Sequence, residues 1–261
     1  VPLVGHALAA GRSLDPARVV VVAGHGAEAV TKAVGKLDPE AQVALQAEQL
    51  GTGHAVAQAL PLLEGFAGRV VVLYGDTPFI SAETLAALAA HPADVVVLGF
   101  EAADPGRYGR VVRDEASGEV LRVVEWADAD AAERGIGLCN AGVVCAPAAD
   151  LRRWLRAVRD DNAKGEYYLT DVVALARADG RRVVATGIEA RLGTRRTADT
   201  LAAMREGRVR SLGQAAEKRW GAAPDVPTFR EQGFDMVAGS ARGIAGPPDL
   251  PAPADPFEAA R

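Results

Sequence analysis

Runs of apolar, β-branched residues recur through the first hundred positions and alternate with segments of helical periodicity. RVVVVA (18–23) precedes the helical pattern GAEAVTKAVG, AQVALQ (41–46) precedes HAVAQALPLL, RVVVLYG (69–75) precedes SAETLAALAA, and DVVVLGF (94–100) closes the series. These runs are too continuous for half-exposed strands and are typical of parallel strands buried on both faces. The pattern predicts an α/β, Rossmann-like fold with a mostly parallel sheet covered by helices.

The pattern of polar positions changes after Phe100. RYGRVVRD and VLRVVEW alternate apolar and polar residues on either side of EASGE, which predicts an antiparallel β-hairpin inserted into a mixed sheet. LCNAGVVCAP predicts a further strand, and DLRRWLRAV places Leu151, Trp154 and Leu155 on one helical face. The periodicity weakens from Arg191, and the final GPPDLPAPADPFEAAR is too rich in proline for a helix or a central strand.

Composition narrows the function classes. The 261 residues are 49% apolar, enough for a large core, and 29 basic against 34 acidic residues give a net charge of -5. We therefore expect no nucleic-acid partner, and any bound phosphate should belong to a small molecule. With no apolar stretch of membrane-spanning length and no visible signal peptide, we expect a cytoplasmic protein without a membrane partner. Cys139 and Cys145 share one strand face, where a disulfide is sterically unreasonable, so we predict buried free thiols.

Candidate chemistry lies in the loops that leave the predicted strands, because ligands of open α/β sheets bind beyond the carboxyl ends of the strands. In LQAEQLGTGHAVAQ, the Gln46 amide can pair with the edge of a flat base while Gly51 lets the backbone approach it. A tight turn with ordinary helix entry is the other interpretation. In LYGDTPFI, Asp76 follows Tyr74 and Gly75, where a carboxylate can hold Mg²⁺ or can simply cap a turn.

Four further segments carry groups suited to a sugar. RYGR supplies Gly109 and VVEWADAD supplies Glu125. CNAG supplies Asn140, and NAKGEYYLTD supplies Glu166, Tyr168 and Thr170. Amides, hydroxyls and carboxylates of this kind match the hydroxyl and acetamido groups of an amino sugar. Thr170 or Asp171 can instead begin the next helix.

The motifs QAEQLGTGHA, YGDTPFI, YGR, VVEWADA, CNAG and NAKGEYYLTDVVALA occur in this order over roughly residues 1–190. They resemble the N-terminal uridyltransferase domain of the bifunctional N-acetylglucosamine-1-phosphate uridyltransferase/glucosamine-1-phosphate acetyltransferase. The resemblance implies a fold of the nucleotide-diphospho-sugar transferase type. It also implies Mg²⁺-dependent transfer of UMP from UTP to N-acetylglucosamine-1-phosphate, with UDP-N-acetylglucosamine and pyrophosphate as the products. UDP-N-acetylglucosamine is a precursor of peptidoglycan and lipopolysaccharide.

The resemblance also assigns expected roles to individual residues. Gln46, Gly51 and Thr52 would contact uracil, and Tyr74 and Gly75 would line the nucleotide. Asp76 would bind Mg²⁺. The residues that would surround the N-acetylglucosamine are Gly109, Glu125, Asn140, Tyr168 and Thr170.

The chain departs from the family pattern at several positions. The family opens with a strand and a phosphate-gripping loop of the form L-x-A-G-x-G-T-R-M, whereas VPLVGHALAA resembles the helix that follows this loop. We therefore expect the first strand to be missing, no certain catalytic residue, and impaired turnover. LGTRRTAD (192–199) stands where the family has an asparagine that binds metal, and Ala127 stands where it has a lysine. The trimerising β-helix of the acetyltransferase half is also expected to be absent.

Two alternative functions arise from other segments. Residues 197–261 resemble the C-terminal part of a tripartite-tricarboxylate-type solute-binding receptor, most clearly in PDVPTFREQGF. We therefore predict a nucleotidyltransferase-like domain at 1–190, a receptor-like fragment at 191–245 and a proline-rich tail at 246–261, and a non-catalytic solute-binding module is the first alternative. The second is an NAD-dependent oxidoreductase, because GHGAEA (24–29) fits G-x-G-x-x-A after a buried strand.

Overall fold

The computed structural model describes residues 3–75, 77, 80–102, 104–187, 210–214 and 243–246. The chain divides into two compact units, Val1–Leu192 and Gly193–Arg261. All predicted site residues fall in the sequence of the first unit. In the second unit, the two described strands pair with each other antiparallel; they are numbered last, as β9 (Arg210–Gln214) and β10 (Gly243–Gly246).

The first half of the first unit alternates helices and short strands, as the apolar runs predict. Its elements are α1 (Leu3–Arg12), β1 (Val20–Ala23), α2 (Ala27–Leu37), β2 (Gln42–Leu45), α3 (Thr52–Gln58), a 3₁₀ turn (Leu60–Leu63), β3 (Arg69–Val72), α4 (Ala82–Ala90) and β4 (Val95–Glu101). The second half begins with the predicted hairpin. Its elements are β5 (Arg110–Arg113), β6 (Val120–Val124), α5 (Ala131–Arg134), β7 (Leu138–Pro147), α6 (Ala148–Ala157), α7 (Asp171–Ala178) and β8 (Val183–Gly187).

The larger sheet is organised around β7. Its strand order is β6-β5-β7-β4-β8, and β3 pairs with the C-terminal half of β7. Because β3, β4 and β5 all pair antiparallel with β7, and β8 pairs parallel with β4, four strands of this sheet run in one direction. Strands β1 and β2 form a separate parallel pair. The arrangement agrees with the predicted parallel-rich, mixed α/β sheet with an inserted hairpin.

The sheet buries apolar side chains on both of its faces. Along β4, Val95 and Val97 belong to one core cluster and Val96 and Leu98 to the other. This is the arrangement expected for a continuous apolar run in a central strand. The expectation was wrong for β1 and β3, whose valines are only half-buried. Each of these strands pairs along one edge only among the described residues.

The two cysteines lie on β7 as buried free thiols, as predicted. Burial raises the pKa of each thiol, although the neighbouring Arg110 and Arg69 partly offset the shift at Cys139 and Cys145 respectively. Thiols of this kind are poor nucleophiles at neutral pH. The cysteines therefore contribute to packing rather than to the chemistry of the site.

Trp154 anchors α6 in the main core. Its ring is buried, and its Nε1–H donates to Asp179 Oδ2 at 2.6 Å, beyond the C-terminus of α7. Arg153 also donates to Asp179, but its side chain is about half exposed. The tryptophan thus ties α6 to α7, the helix that follows the predicted sugar-binding segment.

We expect Trp154→Phe to lower the free energy of unfolding by about 2–3 kcal/mol, because it removes a buried donor and leaves part of the ring volume empty. Urea unfolding followed by circular dichroism measures the change. The control is Arg153→Met, which removes the half-exposed partner of the same carboxylate. Arg153 also pairs with the buried Asp150, but Asp150 keeps Arg181 at 2.7 Å, so the variant should cost less than about 1 kcal/mol. Equal losses in the two variants would contradict the anchoring role of the tryptophan.

Candidate functional site

The loop between β2 and α3 docks against the segment that precedes α7. The Gly53 N–H donates to the Tyr167 carbonyl at 2.7 Å, and the Tyr167 N–H donates to the Leu50 carbonyl at 2.8 Å. The Thr52 hydroxyl oxygen accepts from the Leu169 N–H at 2.9 Å. We call this contact of residues 50–53 with residues 167–169 the loop seam. It joins the two sequence segments that carry the most specific predicted motifs.

Gly51 allows the loop seam to close. Its φ of +113° and ψ of 176° lie in a region that only glycine adopts readily, and a Cβ there would lie 2.6 Å from the Tyr167 carbonyl oxygen. The sequence analysis assigned the space beside Gly51 to a nucleotide base. In the direction of a Cβ, the backbone of Tyr167 occupies this space, and the contact of Gly51 with a base stays a prediction. Gly51 is also the N-cap of α3, without a capping side chain, so the alternative of a turn with helix entry describes its local geometry.

Gln46 lies just beyond the carboxyl end of β2, where the sequence predicts a ligand-binding residue. Its side chain is buried, and Nε2 lies 3.1 Å from both the Gly51 carbonyl oxygen and Nδ1 of His54. The Gln49 amide donates to the Gln46 backbone carbonyl at 3.1 Å. The Gly51 carbonyl and His54 therefore contact the side-chain amide that is predicted to read the base, and Gln49 contacts the backbone of the same residue.

Four of the predicted sugar-binding residues are contiguous in space. The Thr170 hydroxyl donates to Glu125 Oε1 at 3.2 Å, and a Cβ at Gly109 would lie 3.4 Å from Glu125 Oε2. The Asn140 N–H donates to the Gly109 carbonyl at 2.9 Å. Thr170 is the N-cap of α7, yet its side chain makes no capping bond. Its hydroxyl is directed to the carboxylate instead, so the alternative of a helix-starting residue accounts only for its backbone.

A β-bulge in β7 brings Tyr74 beside Asn140. Gly99 of β4 pairs with Asn140 while Val97 pairs with Val144, so β7 carries two extra residues at this point. Gly142 has a φ of +80°, and a Cβ there would lie 2.6 Å from the Tyr74 ring. Bulges of this kind often redirect side chains at active sites.

The bulge borders an open cavity on the surface of the sheet. Polar or aromatic side chains of Tyr74, Asn140 and Thr170 line it above an apolar floor that includes Val97 and Val173. Three residues predicted on separate grounds thus share one concave surface. A concave site with an apolar floor and a few convergent polar groups is typical of small-molecule sites.

Carboxylates surround the predicted sugar-binding segment and shift its titrating groups. Desolvation raises the pKa of Glu125, while the hydrogen bond from Thr170 and the charge of Lys164 partly offset the shift. Desolvation also raises the pKa of Asp171. The pKa of Tyr168 rises to about 12, chiefly through desolvation and then through nearby carboxylates such as Asp128. This end of the site is negative, so it suits hydroxyl and amide donors rather than bare phosphate.

Arg110 supports the sugar-facing loops and was missed by the sequence analysis. Its side chain is fully buried and donates to the carbonyls of Gly106 at 2.9 Å and Arg134 at 3.3 Å, and also to that of Tyr108. Its guanidinium carbon lies 5.3 Å from the centroid of the Trp126 ring, which suits a cation–π contact. The arginine thereby links the loop that holds Gly109 to the residue after Glu125. The only signal in the sequence was its place directly after Gly109 in YGR.

Asn162 holds the loop that leads into Tyr168, and it was also missed. Its Oδ1 accepts from the N–H groups of Lys164 at 3.1 Å and Glu166 at 3.2 Å, and its Nδ2 donates to the Glu166 carbonyl. The Ala163 N–H donates to Asp128 Oδ1 at 2.8 Å, which joins this loop to the one after Glu125. An Asn ahead of a Lys-Gly pair is an Asx-turn signal that sequence reasoning can use.

Two predicted residues are not placed by these contacts. Asp76, the predicted Mg²⁺ ligand, lies outside the described residues. Gly75 is described, and a Cβ there would meet nothing within 4 Å. Within the described ranges, no group of three or more His, Cys, Asp or Glu side chains is arranged to hold a metal ion. No helix in the same ranges is long and apolar enough to cross a membrane.

A comparison with known protein families identifies the family of this chain. Residues 1–222 match the model of the MobA-like NTP transferase domain. The chain belongs to this family. The match extends beyond residue 190, where the sequence analysis ended its nucleotidyltransferase-like domain, and the three-part division stays a prediction. The predicted class, a nucleotidyltransferase, is confirmed.

Curated relatives of the NTP transferase domain share its sequence closely. The bifunctional protein GlmU of Paracoccus denitrificans is 64% identical over 219 residues, which cover 83% of this chain and 49% of that protein. The protein of the same name from Cereibacter sphaeroides (strain ATCC 17025) is 61% identical over 184 residues, or 69% and 39% of the two chains. The chain thus spans about half or less of these relatives, and the resemblance drawn from its motifs is confirmed.

A solved structure supports the fold class. A UDP-glucose pyrophosphorylase, crystallised with UDP-glucose, matches 71% of this chain and 78% of its own with a TM-score of 0.54 at 16% identity. At this identity the likeness concerns the fold alone. The comparisons lend no support to the receptor or oxidoreductase alternatives. GHGAEA (24–29) instead forms the turn into α2, with Gly26 as its left-handed N-cap.

We expect Gly51→Ala to lower the free energy of unfolding by about 3–5 kcal/mol, because the new Cβ adds backbone strain and a clash with Tyr167. The control is Gly65→Ala, since Gly65 also has a positive φ (+71°) but nothing within 4 Å of its Cβ position. The control should cost only about 1–2 kcal/mol. Denaturant unfolding measures both variants, and equal losses would show that the loop seam does not require Gly51.

We expect Glu125→Gln to raise the melting temperature at pH 7.5 by at most about 3 °C. The raised pKa of Glu125 means that its ionised form destabilises the fold, and this cost is relieved as the pH falls through the folded-state pKa. The difference between variant and wild type should therefore shrink in acid. Exposed Glu115→Gln serves as the control and should change little at either pH. A stability difference that grows in acid would contradict the assignment.

Proposed function

We propose that this domain is a sugar nucleotidyltransferase that transfers UMP from UTP to N-acetylglucosamine-1-phosphate, giving UDP-N-acetylglucosamine and pyrophosphate. The loop seam carries the proposal, because it joins the loop with the base-reading Gln46 to the segment with Tyr168 and Thr170. A transferase that links a nucleotide to a sugar phosphate needs both recognition surfaces at one site. The 64% identity with the bifunctional protein GlmU of Paracoccus denitrificans supports the same reaction class.

The base would bind at the end of β2 and the nucleotide would extend along the end of β3. Gln46 offers an amide edge for uracil, and Gly51 and Thr52 shape the loop that bears it. Tyr74 and Gly75 follow β3, where Tyr74 borders the cavity. These positions lie beyond the carboxyl ends of parallel strands, where nucleotides bind in folds of this class.

The sugar would bind in the cavity beside the β7 bulge. Asn140 Oδ1 accepts from the Gly142 N–H at 3.1 Å, which directs its amide nitrogen to act as a donor toward the acetamido oxygen. Glu125, whose Oε1 already accepts from Thr170, would accept from sugar hydroxyls, and Gly109 leaves room beside that carboxylate. The negative character of this end favours the hydroxyl-rich ring there and the phosphates toward β3.

We assign the metal to Asp76, with the phosphate oxygens as its other ligands, and we take the ion to be Mg²⁺. A single carboxylate together with substrate phosphates is a usual Mg²⁺ donor set. Such an ion would neutralise charge on the phosphates and on the departing pyrophosphate. The carboxylates around Tyr168 do not form a metal group within the described residues.

The reaction itself requires positioning more than a protein nucleophile. A phosphate oxygen of the sugar-1-phosphate attacks the α-phosphorus of UTP, and the bond from that phosphorus to the bridging oxygen of the β-phosphate breaks. The chain's own residues hold the base, the sugar ring and the two phosphates in line, and the loop seam keeps the two substrates adjacent. UTP and sugar phosphates are cytoplasmic metabolites, so we also propose a cytoplasmic location.

The proposal predicts that Tyr168→Phe weakens the binding of the sugar nucleotide without lowering the stability of the fold. The Tyr168 hydroxyl is buried and has no hydrogen-bond partner among the described residues, so its removal should leave stability unchanged or slightly raised. If the hydroxyl binds the sugar, the dissociation constant for UDP-N-acetylglucosamine should rise about five- to tenfold while that for UMP stays unchanged. Isothermal calorimetry measures both ligands, and pyrophosphate release from UTP measures turnover.

Two outcomes would reject the proposal. A wild-type chain that binds neither UMP nor UDP-N-acetylglucosamine would show that the site does not recognise uridine nucleotides. Equal weakening of both ligands in Tyr168→Phe would show that the hydroxyl does not act at the sugar. Binding of UDP-N-acetylglucosamine with little or no pyrophosphate release would support the proposed recognition of the ligands and show that this chain turns over slowly.

A further inference from the structure

The amide of Gln46 is fixed in one of its two orientations. The group 3.1 Å from the Gly51 carbonyl must be the amide nitrogen, because a carbonyl oxygen can only accept a hydrogen bond. The same Gly51 carbonyl accepts from the Ala55 N–H at 3.1 Å, so α3 holds it in place. A rotation of the Gln46 amide by 180° would bring two oxygens together.

His54 completes this orientation. Its Nδ1 lies 3.1 Å from Gln46 Nε2, whose second hydrogen it can accept only when the imidazole proton resides on Nε2. Gln58, one turn later on α3, places its amide 3.1 Å from His54 Nε2. The same Gln58 nitrogen donates to the His54 backbone carbonyl at 3.1 Å, which holds the Gln58 amide on α3. The orientation of Gln46 therefore rests on the Gly51 carbonyl and on Nδ1 of His54.

The consequence is that Gln46 presents its oxygen to a ligand. A Cβ at Gly24, directly after β1, would lie 3.3 Å from Gln46 Oε1 and 3.2 Å from Gln49 Nε2, so the absence of a side chain at Gly24 leaves space beside this oxygen. An amide oxygen only accepts hydrogen bonds. Uracil carries a donor at N3, whereas cytosine carries an acceptor at the same position. An oxygen fixed in this place therefore favours uracil and opposes cytosine.

We propose that His54 is a positioning residue that locks Gln46 as an acceptor and thereby selects uridine over cytidine nucleotides. The inference rests on the proposed function, because it names the determinant of base choice at that site. Selectivity of this kind comes from leaving the wrong base with an unpaired or opposed polar group, and it needs no direct contact between His54 and the base.

The test compares the dissociation constants of UTP and CTP by calorimetry. His54→Phe keeps an aromatic ring but offers no acceptor, so the preference for UTP over CTP should fall about five- to tenfold. His54→Asn can place an amide oxygen near the position of Nδ1, so it should retain most of the preference. His54→Leu also offers no acceptor and should lose the preference to a similar extent, and it is the second test should His54→Phe fail to fold. The matched control is His6→Phe, at an exposed position on α1, which should leave the preference unchanged.

The outcomes separate this inference from the proposed function. Loss of the UTP preference in His54→Phe together with its retention in His54→Asn supports the inference. A preference that survives both His54→Phe and His54→Leu overturns it, while UTP binding and product formation would still support the function. A wild-type chain that binds UTP and CTP equally also overturns it, and sugar-dependent pyrophosphate release then decides the function separately.

Discussion

The close approach of two backbones, at the loop seam, is the contact on which the site depends. Residues 50–53 and 167–169 are more than a hundred positions apart, yet they exchange two backbone hydrogen bonds and one from Leu169 to the Thr52 hydroxyl oxygen. These bonds fix the start of α3 on one side and the approach to α7 on the other. The entropy cost of closing so long a loop rises only slowly with its length, so a contact between such distant segments is not prohibitive.

The remaining parts of the site are arranged around this contact by buried polar groups. Arg110 collects carbonyls from two loops, Asn162 fixes the turn before Tyr168, and the bulge in β7 sets Asn140 beside Tyr74. Arg110 and Asn162 thereby give the backbone of these loops hydrogen-bond partners within the chain. The site is therefore held by loops that are rigid because of their hydrogen bonds, while the sheet supplies its floor.

Much of this fold could be predicted from the sequence, and the limits are instructive. The strand LCNAGVVCAP coincides with β7, and the alternation around EASGE gave the hairpin, because both patterns are local. The half-burial of β1 and β3 depends on which strands lie beside them, which local periodicity does not record. The contact that requires a glycine at position 51 could not be predicted either, since the group that crowds it comes from Tyr167, far along the chain. Likewise, an arginine in a strand is normally expected to be exposed, and only the tertiary fold provides the carbonyl partners of the buried Arg110.

Amide hydrogen exchange tests the central role of the loop seam most directly. The amides of Gly53, Tyr167 and Leu169 should exchange with one common opening free energy, because they can open only together. In Thr52→Val, which removes the acceptor of the Leu169 N–H, all three should lose protection by a similar factor. Independent exchange of the three amides in the wild type, or loss of protection at Leu169 alone in the variant, would contradict the account.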